Sequence, residues 1–281
     1  YGPYCFTGCE TLKAFYVNAA VLPEGMFYEC KALESVSVGP DVNDIGEFAF
    51  RDTAVKTLEV KDGSKSYKVQ SSDHILSADG KTIVAVVPTL TGTFSNSEVT
   101  AVADGAFSHN QKLTVVELPN VTEVGDYAFG SAKAIATVKL GELTKIGEYA
   151  FFETVIAELP KFTVDTEIGR YAFAFTAITE VNIPDGMQIG EGVFSECKSL
   201  ATVTIGNDVT VGKYAFGHNK DYVFTINSYD EVKGTVQDEN AEAETAEVET
   251  EKYFYYTFQT ALTTLTIGDN VVLGENAFSN A

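Results

Sequence analysis

Histidine and cysteine carry the most reactive side chains in this chain, and there are few of them: His74, His109 and His218, and Cys5, Cys9, Cys30 and Cys197. A metal centre or a nucleophile–base pair needs such groups to converge. Their spacing argues against it. His109 and His218 each follow a phenylalanine by two residues and precede an asparagine, so they are equivalent positions of a repeated unit. Phe107 and Phe216 lie five units apart, which is about 24 Å if the units stack at the spacing of parallel strands. His74 falls outside the repeat and has no evident partner in sequence. No Cys-x-x-Cys pair has zinc spacing. There is no Gly-x-Ser-x-Gly elbow and no glycine-rich phosphate loop followed by lysine. With 40 Asp and Glu residues, a pair at glycosidase separation is expected by chance. A polysaccharide-active β-solenoid enzyme stays an alternative, unsupported by any Asp and Arg cluster on neighbouring units. No catalytic residue, metal ligand or cofactor site is assigned.

The element that must position everything else is the repeat. Ala106-Phe107, Ala128-Phe129, Ala150-Phe151, Ala172-Phe173, Val193-Phe194 and Ala215-Phe216 follow one another at 22, 22, 22, 21 and 22 residues. Phe6, Phe27 and Phe50 extend the series toward the N-terminus, and Phe278 toward the C-terminus. A unit of this size cannot bury its own apolar face, so it must stack on its neighbours as a solenoid. Four residues before most of these phenylalanines stands a glycine: Gly2, Gly46, Gly125, Gly147, Gly169, Gly190, Gly212 and Gly274. It suits either a positive φ or a close backbone approach. An acidic residue often follows, as in Glu47, Asp126, Glu148, Glu191 and Glu275, with Arg170 and Lys213 as exceptions. That pattern predicts a short helical turn carrying Ala-Phe, with the carboxylate at its N-terminus.

Beyond each phenylalanine, apolar residues alternate as in a half-buried strand: Leu33, Val36, Val38; Leu113, Val116, Leu118; Ile178, Val181, Ile183; Leu200, Val203, Ile205. A second apolar pair precedes the glycine, as in Val42 and Ile45 or Leu143 and Ile146. The coil after Phe151 is the least regular: Lys161 stands where an apolar residue is expected, and Phe162 is the substitute. Cys9, Cys30 and Cys197 each follow a repeat phenylalanine by three, a slot filled elsewhere by Thr53, Asn110, Ala132, Thr154 and Thr176. They read as free, buried thiols packing as small hydrophobes. A Cys9–Cys30 bridge between adjacent coils is the alternative.

The whole chain, 1–281, reads as a single leucine-rich-repeat-like solenoid, expected to be part of a longer protein, with two insertions. In the first, 61–97, Asp79-Gly80 between apolar runs predicts a β-hairpin that braces the stack. In the second, 228–256, nine carboxylates face only Lys233 and Lys252, predicting a solvated acidic loop or hairpin. The net charge of −21 argues against nucleic acid, which needs a cationic surface. No stretch of about eighteen apolar residues is present to insert into a membrane.

Ile-Gly-Glu-Tyr-Ala-Phe, Ile-Gly-Arg-Tyr-Ala-Phe and Val-Phe-Ser-Glu-Cys-Lys-Ser-Leu-Ala-Thr-Val-Thr-Ile resemble the BspA-type leucine-rich repeat of bacterial surface proteins. The resemblance covers most of the chain outside the insertions. It implies a right-handed superhelix of coils with a parallel β-sheet face. It also implies an extracellular or cell-surface location and non-enzymatic adhesion or binding.

If the apolar strand residues point inward, their neighbours pave an outward face: Ser35, Ser37, Thr57, Glu59, Val115, Glu117, Thr137, Lys139, Glu180, Asn182, Thr202, Thr204, Thr264 and Thr266. A broad polar face suits a protein or glycan ligand, host-derived ligands included, better than a small molecule. β-Branched residues also favour any exposed sheet, so a rigid spacer is the alternative. Tyr253–Tyr256 form a rival patch. Open strand edges at the two ends predict weak self-association.

Overall fold

The computed structural model describes residues 1–217, 222–224, 234–236 and 262–279. The acidic segment 228–256 lies outside the described residues apart from the short strand Gly234–Val236, and His218 lies outside them too.

The repeat folds as stacked coils. On the outward side, four-residue strands lie parallel and in register, so that Val36 sits beside Leu58 and Ser37 beside Glu59. The same pairing places Val116 beside Val138 and Val203 beside Leu265. Alternation puts Val36, Leu58, Val116 and Val203 inside and their neighbours outside. The outward sheet is not continuous. It is broken into three three-stranded sheets: Ala14–Val17, Ser35–Val38 and Thr57–Val60; Gly92–Ser95, Leu113–Leu118 and Thr137–Leu140; Glu180–Ile183, Thr202–Ile205 and Thr264–Ile267.

The phenylalanines form the spine of the core. From Phe107 through Phe129, Phe151, Phe173, Phe194 and Phe216 to Phe278, successive rings are 4.9–5.6 Å apart and within 16° of parallel. Phe6, Phe27 and Phe50 form a shorter column, with spacings of 6.0 and 6.3 Å. Full burial of one such ring is worth about 1.5–3 kcal/mol, so the column contributes to the stack alongside the buried Leu, Ile and Val of each coil.

No helical turn carries the Ala-Phe pair, contrary to the sequence expectation. The reason lies in the hydrogen bonds, which alternate along the corner. Tyr127, Phe129 and Ser131 N–H groups donate to Glu148, Ala150 and Phe152 carbonyls of the next coil, at 2.8, 2.8 and 2.7 Å. Ala128, Gly130 and Ala132 donate back three residues within their own coil. Half the donors a helix would use are therefore committed to the neighbour. The chain makes this possible by entering the left-handed region at Tyr127 and Ser131, with φ 50° and 54°. Tyr149 and Glu153, and Tyr171 and Phe175, repeat it one and two coils on.

The recurring glycines four residues before phenylalanine are not the left-handed ones. Of the two reasons offered for them, close approach is the operative one at all but Gly2 and Gly190. A Cβ at Gly147 would lie 2.4 Å from the Gly125 carbonyl carbon, and one at Gly169 would lie 2.4 Å from the Glu148 nitrogen. Nor do the acidic residues cap a helix. Asp104 accepts the Asp126 N–H at 2.8 Å, and Asp126 accepts that of Glu148 at 2.8 Å, each tying one coil to the next.

The first insertion forms three antiparallel strands, Tyr67–Ser71, His74–Ser77 and Thr82–Val86, with the Asp79-Gly80 turn between the last two. It is the edge of a seven-stranded inner sheet that continues in parallel through Ala101–Val102, Glu123–Val124, Leu143–Ile146 and Phe162–Ile168. Ile75 and Ala85 pack into the N-terminal core, and Leu76 and Ile83 into the larger one. The insertion thus splices two stacks.

Candidate functional site

The three outward sheets hold every predicted face residue at an outward strand position, and none is buried. In the first, Ser35 neighbours Thr57, and Ser37 donates to Glu59 Oε2 at 3.0 Å. Lys61 Nζ also reaches that carboxylate at 2.6 Å; these contacts hold the Glu59 carboxyl below its usual range, with Lys61 the larger cause. In the second, Val115 lies between Thr93 and Thr137, and Glu117 between Ser95 and Lys139. Lys139 and Glu117 pair at 2.7 Å. In the third, Glu180, Thr202 and Thr264 form one row and Asn182, Thr204 and Thr266 the next.

The expected single face is therefore three patches, and each break leaves a groove. At the first break the hairpin turn displaces a coil. Gln70, Asp73, Asn96, Glu98, Glu117 and Lys139 border a groove of about 960 Å³ there. At the second, residues 155–161 form no strand, and Lys161 is exposed. Phe162 packs on the core, as expected of the substitute, but from the inner sheet, where it pairs with Leu143. The missing outer strand leaves a groove of about 770 Å³ bordered by Glu142, Glu158, Lys161, Glu180 and Asn182. Sequence periodicity finds the strand residues but not the grooves. These depend on how the irregular segments are seated.

The reactive residues stay apart. His74, without an evident partner in sequence, has two in the structure. Its Nδ1 lies 2.6 Å from Asp73 Oδ1 and 3.3 Å from Ser71 Oγ. Burial works against the Asp73 charge, but hydrogen bonds from Ser71 and His74 outweigh it and hold the carboxyl below its usual range. This trio is not a catalytic triad, because aspartate and serine crowd the same ring nitrogen. Nε2, which would have to deprotonate a nucleophile, is buried without a partner, and the ring stands edge-on to Phe94 at 5.2 Å. The four cysteines are free. Cys30 and Cys197 are buried in their repeat slot, donating to the carbonyls of Phe6 and Phe173 at 2.9 and 3.2 Å. Cys5 is exposed and Cys9 half-buried.

With this geometry in place, comparison with known families is decisive. A family model described as the BspA type leucine rich repeat region matches residues 1–72, 100–223 and 166–281 in six copies. The chain belongs to the BspA-type leucine-rich repeat family. The stretch between the first two BspA-type matches, 73–99, covers most of the spliced insertion. Two solved structures share the stacked-coil fold. One is a leucine rich cell surface protein from Faecalibacterium prausnitzii, 20% identical with a TM-score of 0.50; 76% of this chain aligns with 59% of that one. The other is a leucine-rich repeat protein from Eubacterium ventriosum, 17% identical with a TM-score of 0.54; 76% of this chain aligns with 60% of that one. The chain thus spans under two thirds of either structure. None of the curated proteins matches it.

Proposed function

We propose that this BspA-type solenoid is a non-enzymatic binding or adhesion region of a bacterial cell-surface protein, recognising a protein or glycan through its outward strand face. One observation carries the reading. Rows of polar side chains are fixed at strand spacing on a rigid stack and open into two grooves, the one of greater volume bordered by Glu117 and Lys139. Such a surface offers many shallow, directional contacts, as an extended glycan or a protein segment requires. The cell-surface location rests on the family and on the description of the Faecalibacterium prausnitzii relative in fold.

The test is a screen of the intact chain against glycan and matrix-protein arrays at high concentration. Binding that Glu117→Arg with Thr137→Arg abolishes supports the reading; blank arrays contradict it. The second reading, a rigid spacer, is favoured by one feature: Lys139–Glu117 and Ser37–Glu59 already satisfy one another across the strands. A spacer would keep its role in the whole protein with all these residues substituted.

A further inference from the structure

At one corner of every coil after the first, where the position is Pro3, the stack carries a ladder of charges three residues before the phenylalanine. It runs Glu24, Glu47, Asp104 and Asp126, then Glu148, Arg170, Glu191, Lys213 and Glu275. Its C-terminal half interleaves two cations with three carboxylates. Arg170 Nε donates to Glu148 Oε2 at 2.8 Å, and Lys213 Nζ lies 3.6 Å from Glu275. From Glu24 to Asp126 the ladder contains no cation of its own.

This unbalanced half is also where the two stacks are spliced. In regular coils the corner residues donate across to the next coil, as Tyr4 does to Glu24 and Gly25 to Glu47. Among the described residues, Phe48 and Phe50 make no such bond, and the Ala106 carbonyl takes the N–H of hairpin residue Val86 instead, at 3.1 Å. The corner opens into a cavity of about 620 Å³, within the usual range for small-ligand sites of about 300–1,000 Å³. Glu24, Asp44, Glu47 and Asp104 contribute carboxylates to its wall, and Phe48, Tyr67 and Tyr127 contribute rings. Arg51 is buried in the same wall, where Asp52 engages it at 3.5 Å and its guanidinium lies over the Tyr28 and Phe48 rings at 4.8 and 5.9 Å.

An independent feature points to a ligand. His109 also lines this cavity, is only 5% exposed, and has no hydrogen-bond partner on either ring nitrogen. Its ring stacks on Phe48 at 5.7 Å. A buried imidazole without partners is costly, and a neutral one carries a lone pair that accepts a donor.

We propose that this cavity binds a protonated primary amine, which takes the place that Arg170 and Lys213 fill further along the same ladder. The ammonium supplies three N–H donors. Glu47 and its neighbouring carboxylates accept them, with the His109 lone pair as a further acceptor. The methylene stem lies against the aromatic part of the wall, to which Phe48, Tyr67 and Tyr127 contribute. Among the described residues no group of three or more of His, Cys, Asp and Glu is placed to hold a metal ion. Burial, with Asp104, Glu24 and Asp126 adding to it, raises the Glu47 carboxyl to about 7; an arriving ammonium favours the charged form and displaces that proton. The site lies at the coil corners and is independent of the strand face.

The test is an NMR titration of the full chain at physiological salt, following the His109 ring signals. The probes are a blocked tripeptide with a central lysine, its norleucine counterpart, and spermidine. The expected result is saturable binding of an amine probe, weakened at least tenfold by Glu47→Gln and unchanged by Glu191→Gln, which sits on the same ladder outside the cavity. Binding of the lysine peptide identifies a protein side chain as the source, and binding of spermidine alone a free polyamine. Four results would overturn the proposal: no amine binding, equal binding of norleucine, equal loss in the Glu191→Gln variant, or binding of neutral oligosaccharides alone.

Discussion

Phe151 and Phe173 stack with centroids 5.1 Å apart and ring planes within 5° of parallel, in coils 22 residues apart in sequence. Both are fully buried. Removing one ring leaves a cavity between two others that the stiff backbone cannot close. Phe151→Ala should therefore destabilise by about 3–5 kcal/mol. Phe6→Ala, at the half-buried end of the shorter column, should cost clearly less. Denaturant unfolding of the two variants measures the difference.

A glycine comparison tests close approach against backbone freedom. Gly169→Ala places a methyl 2.4 Å from the Glu148 nitrogen, whereas at Gly190 the nearest atom is 3.7 Å away. Neither residue has a positive φ. Gly169→Ala should cost about 1–3 kcal/mol or more through overpacking, and Gly190→Ala should be within about 1 kcal/mol of neutral. Equal effects would mean that the corner tolerates a side chain after all.

Glu47 makes stability depend on pH in an unusual direction. Its folded pKa of about 7 lies above the ordinary 4.5, chiefly through burial and then through Asp104, Glu24 and Asp126. The folded state thus holds the proton more tightly. This contribution is complete below about pH 4.5 and is lost as pH rises through about 7. Glu47→Gln should therefore raise Tm at pH 8 and have a much smaller effect at pH 4.5, as thermal melts at the two pH values would show.

Thiol labelling reports the repeat slot directly. Cys5 is exposed, whereas Cys30 and Cys197 are buried, and burial pushes the Cys197 thiol up to about 11. Reactivity follows the thiolate. Cys5 should label rapidly in the native chain, and Cys30 and Cys197 only after denaturant is added, as read by intact-mass spectrometry.

The spine and strands were legible because a 22-residue beat and period-two alternation both follow from packing, which repeats with the coil. The corner was not. Ala-Phe behind a carboxylate looks like a helix start in any one coil, and only the alternation of bonds such as Tyr127 to Glu148 and Ala128 to Gly125 excludes it. The glycine was found, but sequence cannot distinguish a left-handed corner from the approach of Gly147 to Gly125. The grooves escaped because the Lys161 irregularity marks a defect without showing what it opens. The amine cavity left a trace: Arg170 and Lys213 interrupt a column that Glu24, Glu47, Asp104 and Asp126 leave wholly acidic. Read as a ladder rather than as separate helix ends, those positions would have pointed to it.

The strand face is tested most directly by side-chain footprinting of the intact chain with and without a ligand recovered from the arrays. Protection should centre on Thr93, Glu117, Thr137 and Lys139 and extend into the groove beside Asn96 and Glu98. Protection confined to the coil corners, or none along the strands at saturating ligand, would contradict the account.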